Sequence, residues 1–134
     1  MKIYSIFFFL ALILCRCHNP NSNHTDKHNI FISPLGKELL RPTPSEKMLN
    51  LYKEAKTNYD RDSDNPDNII WYGRRTAYLG NYEEAIKIYS DGIMQFPNNP
   101  KLYRHRGHRY ISIRQFDKAI ADFETAVILI EGKE

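Results

Sequence analysis

The C-terminal half of the chain alternates apolar and polar positions with the period of an α-helix, and it does so twice. Ala85, Tyr89, Gly92, Ile93 and Phe96 fall on one helical face, and Ala119, Phe123, Ala126, Val127 and Ile130 repeat that face. A shift of 34 residues lays Asn65–Pro66 on Asn99–Pro100, Gly73 on Gly107, Arg75 on Arg109 and Ala85–Ile86 on Ala119–Ile120. Near matches fill the intervals: Tyr82 with Phe116, Glu83 with Asp117, Tyr89 with Phe123, Ile93 with Val127. A fixed period of this length is the mark of stacked repeats. Each unit reads as two helices. Leu79-Gly80-Asn81 supplies the turn within unit one, and Pro97-Asn98-Asn99-Pro100 the break between units. Asn99 suits an N-cap, and Pro100 suits the first helical position, where its missing N–H costs nothing. Gly73, Ala85, Gly107, Ala119 and Ala126 allow neighbouring helices to approach, while Tyr82, Tyr89, Phe116 and Phe123 fill the space beside them.

One further helix precedes the repeats. Ser45 caps a segment to about Tyr59, with Met48, Leu51, Tyr52, Ala55 and Tyr59 on one face. The spacing Met48–Tyr52–Ala55 equals Ala119–Phe123–Ala126, so this is the second helix of a degenerate unit, shielding the front of unit one. From Ser45 onward the pattern predicts five antiparallel helices and no strand, with breaks near Asp64, Gly80, Pro97 and Arg114.

These residues resemble the tetratricopeptide repeat, a 34-residue helical hairpin with the motif W-x2-L-G-x2-Y…A-x3-F…P. Unit two matches at Tyr103 (aromatic for Trp), Gly107, Tyr110, Ala119 and Phe123, with Ala126 as the later small residue, and departs at Arg106 and Glu131. Unit one matches at Gly73, Ala85, Tyr89 and Pro97, and departs at Ile69, Tyr72, Thr76 and Gly92. The resemblance covers about half of the chain. It implies an all-α fold, an α-α superhelix of tetratricopeptide-type hairpins, in a domain over residues 45–134: a leading helix at 45–60, repeat one at 66–99 and repeat two at 100–133. It also implies a scaffold that binds a partner protein or peptide in a concave groove lined by the first helix of each unit.

The start of the chain has a different character. Met1 to Leu14 pairs a positive start at Lys2 with a nearly continuous apolar run from Ile3. That run is too short to span a membrane and suits the core of a signal peptide. Cys15 and Cys17 are the only cysteines, so the repeats carry no disulfide and no thiol chemistry. Leu12-Ile13-Leu14-Cys15 resembles a bacterial lipoprotein signal, departing from it at Leu14, where a small residue is usual. The expectation is an exported protein lipidated at Cys15, periplasmic or associated with the outer membrane of a bacterium. Residues 15–44 read as a flexible tether and lead-in segment. His18 to Asn29 is polar and without period, and its histidines fit no metal site. Ile30 to Leu40 is mildly apolar, and Pro42 and Pro44 interrupt regular structure.

Charge sharpens the functional reading. The whole chain is only +3, yet Lys101 to Arg114 holds five Lys or Arg, two His and no acid. The folded region offers no nucleophile elbow, phosphate-cradling glycine loop or zinc-protease motif, so no enzyme and no cofactor is expected. His105 and His108 lie among arginines that repel a metal, and Asp60, Asp62 and Asp64 lack the Gly and Glu that a calcium loop needs. The family's groove positions correspond to Ile70, Trp71, Arg74, Ala77 and Tyr78 in unit one, and to Lys101, Arg104, His105 and His108 in unit two. Cations interleaved with aromatic surface suit an acidic segment or a terminal carboxylate. The alternative is a solvated basic helix face. Arg106 stands where the family packs Leu and needs a carboxylate partner or a route to solvent. Arg75 and Arg109 share one register and read as an arginine ladder in the packing. A nucleic-acid role is disfavoured by the export signal and by Tyr103 and Tyr110, which are expected to be buried. Other readings are the N-terminal part of a larger repeat protein and an accessory subunit of an envelope enzyme. The unbroken run Val127-Ile128-Leu129-Ile130 leaves an apolar face outward, to be covered either by further repeats or by self-association through the last helix.

Overall fold

The computed structural model describes residues 30–33, 35–40 and 43–132. The signal peptide at 1–14, the lipidation site Cys15 and the polar tether therefore lie outside the described residues. The chain divides into two units, Met1–Leu40 and Arg41–Glu134.

In the first unit the described segment is an antiparallel hairpin, β1 (Ile30–Ile32) paired with β2 (Glu38–Leu40) in the register Ile30 to Leu40. On sequence alone 30–40 reads as a mildly apolar lead-in segment, and the hairpin gives it regular structure. The reason is local. Ser33 N–H donates to Lys37 O at 2.7 Å, and Lys37 N–H donates back to Ser33 Oγ at 3.0 Å. Gly36 takes the left-handed conformation (φ 75°) that closes so short a loop.

The second unit is five helices: α1 (Glu46–Arg61), α2 (Pro66–Tyr78), α3 (Tyr82–Gln95), α4 (Pro100–Ser112) and α5 (Phe116–Glu131). Their breaks fall where the punctuation residues stand, and no strand occurs among its described residues. Ser45 Oγ accepts from Met48 N–H at 3.3 Å. Asn65 and Asn99 accept from Asp67 and Lys101 N–H, both at 3.0 Å, with Pro66 and Pro100 opening the helices behind them. The turn within each hairpin needs one left-handed residue, Gly80 (φ 84°) in the first and Arg114 (φ 61°) in the second. A side chain there costs about 1–2 kcal/mol. The bonds Asn81 N–H to Thr76 O and Gln115 N–H to Tyr110 O hold both turns in the same shape.

Successive helices pack against one another, and α2 also touches α4. The first helices of the two hairpins thus form one layer, and α1, α3 and α5 the other. The core is Ile69, Ile70, Ala77, Ala85, Tyr89 and Leu102, with Tyr59, Tyr82, Ile88, Ile93 and Phe96 packed around it. Every core residue comes from this unit, so it carries a complete hydrophobic centre of its own. Gly73 exists to admit a ring: a Cβ there would lie 2.5 Å from the Tyr89 ring. Gly107 does the same for Phe123, at 2.8 Å. On α1, Tyr59 stacks on Tyr72 at 5.1 Å.

Three expectations need correcting here. Ile70 and Ala77, read as groove-lining, are buried by the packing of α2 and belong to the core. Tyr103 and Tyr110, expected to be buried, are half-buried, and Tyr103 reaches back to donate to Pro97 O at 3.0 Å. Leu102, not singled out by the repeat pattern, is fully buried and replaces them as the inward anchor of α4.

Candidate functional site

On α2, Trp71, Arg74, Arg75 and Tyr78 follow at three- and four-residue spacing, which brings them onto one side. The Arg74 guanidinium carbon lies 4.4 Å from the Trp71 ring centroid and that of Arg75 lies 5.0 Å from it. Arg74 Nη2 donates to the Tyr78 hydroxyl at 3.2 Å. Trp71 and Tyr78 remain 44% and 46% exposed, so the rings brace the guanidiniums and still present open surface.

The facing residues come from α4. His105 stacks on buried Tyr89 at 5.9 Å, with the rings 19° from parallel. Burial pushes its pKa down to about 4, and the charges of Arg104, Arg74, His108 and Arg109 push in the same direction. It is a neutral imidazole at physiological pH. Tyr78 is shifted below the usual phenol range, first by its bond from Arg74 and then by the charges of Arg74, Arg109 and Arg75. The charges of Arg74 and Arg109 therefore act on both Tyr78 and His105. Arg109 also sits 6.0 Å from the Tyr82 ring. The sequence reading had set Arg75 and Arg109 aside as packing. Their shared register was the available signal, and only the meeting of α2 with α4 gives it meaning.

The remaining expected residues lie at the edges. Lys101 is 3.6 Å from Asp67, both well exposed, so it joins the starts of α4 and α2 with a pair contributing at most about 1 kcal/mol. Arg104 and His108 are exposed, and His108 meets the edge of Phe123 on α5 at 5.2 Å. Burial is also the main cause of the lowered His108 pKa, followed by Arg109 and Arg104. Arg106 has the carboxylate it needed. It donates to Asp122 through Nε at 2.9 Å and Nη2 at 2.7 Å, and to Ser90 Oγ through Nη1 at 3.0 Å. Among the described residues, ion pairs form at Lys56–Asp60, Lys87–Asp91, Lys101–Asp67 and Arg106–Asp122. None of them uses Arg74, Arg75, Arg104 or Arg109. A cleft of about 280 Å³ between α1 and α2 is lined by Leu51, Glu54, Asn58, Asn68, Trp71 and Arg75, so the aromatic surface of Trp71 continues into it. Among the described residues no group of three or more His, Cys, Asp or Glu is placed to hold a metal, and no helix is long and apolar enough to cross a membrane. The arrangement is suited to holding an anionic group between two helices.

Solved helical-repeat proteins overlay on the chain. The structure of PcrH with the chaperone binding region of PopD matches with a TM-score of 0.59 at 23% identity, covering 64% of this chain and 65% of that one. A crystal structure of MamA matches with a TM-score of 0.59 at 19% identity, covering 66% of this chain and 52% of that one. The fold is a tetratricopeptide-type superhelix. Among curated proteins, tetratricopeptide repeat protein 12 of Homo sapiens is 30% identical over 83 residues, covering 60% of this chain. Its Mus musculus counterpart is 27% identical over 88 residues, covering 63%. The chain spans only 12% of the length of either. No family model matches it. Together the relatives and the fold neighbours support a tetratricopeptide-like family.

Proposed function

We propose that the chain is an exported, lipid-anchored, non-catalytic scaffold that holds an acidic segment of a partner protein across α2 and α4. The observation that carries this is that Arg74, set against the Trp71 ring and bonded to the Tyr78 hydroxyl, and Arg109, beside the Tyr82 ring, form no ion pair among the described residues. Two guanidiniums set against rings, with no carboxylate partner among the described residues, favour a carboxylate, which each can take in bidentate fashion. The PcrH structure contains a peptide region of PopD, which supports a peptide as the kind of ligand this fold accepts.

The test is fluorescence anisotropy with a labelled Asp/Glu-rich peptide ending in a free carboxylate. Arg74→Glu together with Arg109→Gln is expected to weaken capture by about a hundredfold or more, because removing buried charge partners costs roughly 2–5 kcal/mol. Helicity by circular dichroism should be unchanged. Equal capture by the double variant returns these cations to a solvated basic face.

The anchor is a proposal from the sequence of residues 1–17 alone. Lipidation at Cys15 places the repeats at the periplasmic side or the outer membrane of a bacterium. Cys15→Ser is expected to move the protein from the membrane to the soluble fraction. Retention of the Cys15→Ser protein in membranes refutes a lipid anchor at that residue.

A further inference from the structure

The outer face of α5 carries an apolar stripe that no helix of the described unit covers. Phe116, Ile120, Phe123, Val127 and Ile130 follow at alternating four- and three-residue spacing. That is the seam of a two-stranded coiled coil, with Phe116, Phe123 and Ile130 in one heptad position and Ile120 and Val127 in the other. Phe123 is half-buried against Gly107, while the other four are between 50 and 55% exposed.

The stripe has two unlike borders. On one side lies α4, located by the bond between Asp122 and Arg106. Residues 100–112 hold no acid, and their border with the stripe carries exposed Arg104 and His108 beside exposed Ile111, with His108 touching Phe123. On the other side Asp117, Glu124 and Glu131 recur every seven residues, all exposed. The surface therefore runs basic, apolar, acidic across its width. A face of this kind is complementary to itself under one two-fold operation. If the axis runs along α5, each copy's acidic border meets the other's basic border, and the two α5 helices lie parallel and in register. If the axis crosses α5, the helices are antiparallel and like borders meet.

We propose that the occupant of this face is a second copy of the chain, its α5 parallel to the first. The levels agree. His108 is level with Phe123, so the second copy's Glu124 meets it. Because α4 runs antiparallel to α5, Arg104, four residues earlier, is level with Val127, between the second copy's Glu124 and Glu131, and its long side chain reaches toward either. Both contacts occur twice. This surface shares Arg104 and His108 with the edge of the candidate site but uses neither Arg74 nor Arg109, so the Arg74 and Arg109 variants test one reading and the Glu124 and Glu131 variants the other.

The test uses residues 41–134, the unit whose core is complete and which contains no cysteine. Sedimentation velocity should show a dimer at low micromolar concentration. Val127→Cys, on the two-fold seam, should form an intermolecular disulfide with itself under mild oxidation. Glu124→Lys with Glu131→Lys should raise the dimer Kd by about tenfold, equal to about 1.4 kcal/mol. Adding Arg104→Glu and His108→Glu to that protein should restore the affinity. A monomer at every concentration up to high micromolar overturns the proposal and assigns the stripe to a further helix or a different partner. A dimer that is indifferent to the charge swaps, or that does not cross-link at residue 127, overturns the parallel two-fold arrangement.

Discussion

Asp122→Ala is expected to lower the unfolding free energy of the helical unit by about 3 kcal/mol, the lower end of what breaking a buried ion pair costs. Asp122 is 6% exposed at its side chain and Arg106 19%, and the two share a bidentate contact in the α4–α5 interface. That contact raises the Arg106 pKa against the opposing effect of burial, which lowers it. Without Asp122 the cation stays in the interface with one neutral hydrogen bond, to Ser90, and two aromatic rings, Tyr103 and Tyr110, each 5.8 Å away. Partial solvent contact is why the lower figure applies. The pair itself is not expected to be strongly stabilising, because both groups lost their hydration to form it. The double variant Arg106→Leu, Asp122→Leu should therefore lose much less than Asp122→Ala, or nothing. Urea denaturation followed by circular dichroism measures both. If Asp122→Ala is as stable as the parent chain, the network is incidental.

The second large effect is expected at Tyr89. Its ring fills the hollow left by Gly73 and is 1% exposed, so Tyr89→Ala opens a cavity that the surrounding helices cannot close. Truncating a buried aromatic residue costs about 3–5 kcal/mol. Tyr89→Phe gives up only a long bond, 3.4 Å, from the hydroxyl to Ile70 O, and should cost about 1 kcal/mol or less. The matching change in the second repeat, Phe123→Ala, should be milder than Tyr89→Ala because Phe123 is only half-buried. The same urea titration ranks the three. A Tyr89→Ala loss no larger than that of Phe123→Ala would mean the first hairpin is not the centre of the core.

Removing the Tyr89 ring should also disturb the candidate site. His105 rests on that ring, and burial is the main cause of its depressed pKa. In Tyr89→Ala the imidazole is therefore expected to gain hydration, and its pKa to move back toward the ordinary value. The core of one hairpin thus sets the protonation of a residue in the next.

The sequence alone was enough for the helices, their caps and their order, because these depend on short-range physics. Asn65 and Asn99 cap their own helices, Pro66 and Pro100 follow them, and Gly73 and Gly107 recur with the rings they admit. All of these read from spacing along one chain. The hairpin at 30–40 escaped because a three-residue strand has too few positions to show a period. The site was legible only in part. Helical spacing brought Trp71, Arg74 and Tyr78 together correctly, since neighbours three and four apart on one helix need no tertiary information. What α4 brings opposite them depends on how the second hairpin is rotated against the first, and no local rule fixes that rotation. The tertiary structure decided that Ile70 and Ala77 face the core, that Lys101 is engaged by Asp67, and that the charge of Arg109 acts on Tyr78 from the neighbouring helix. It also supplied Asp122 for Arg106, a partner sixteen residues away whose need could be read from burial of a charge but whose identity required two helices to be packed.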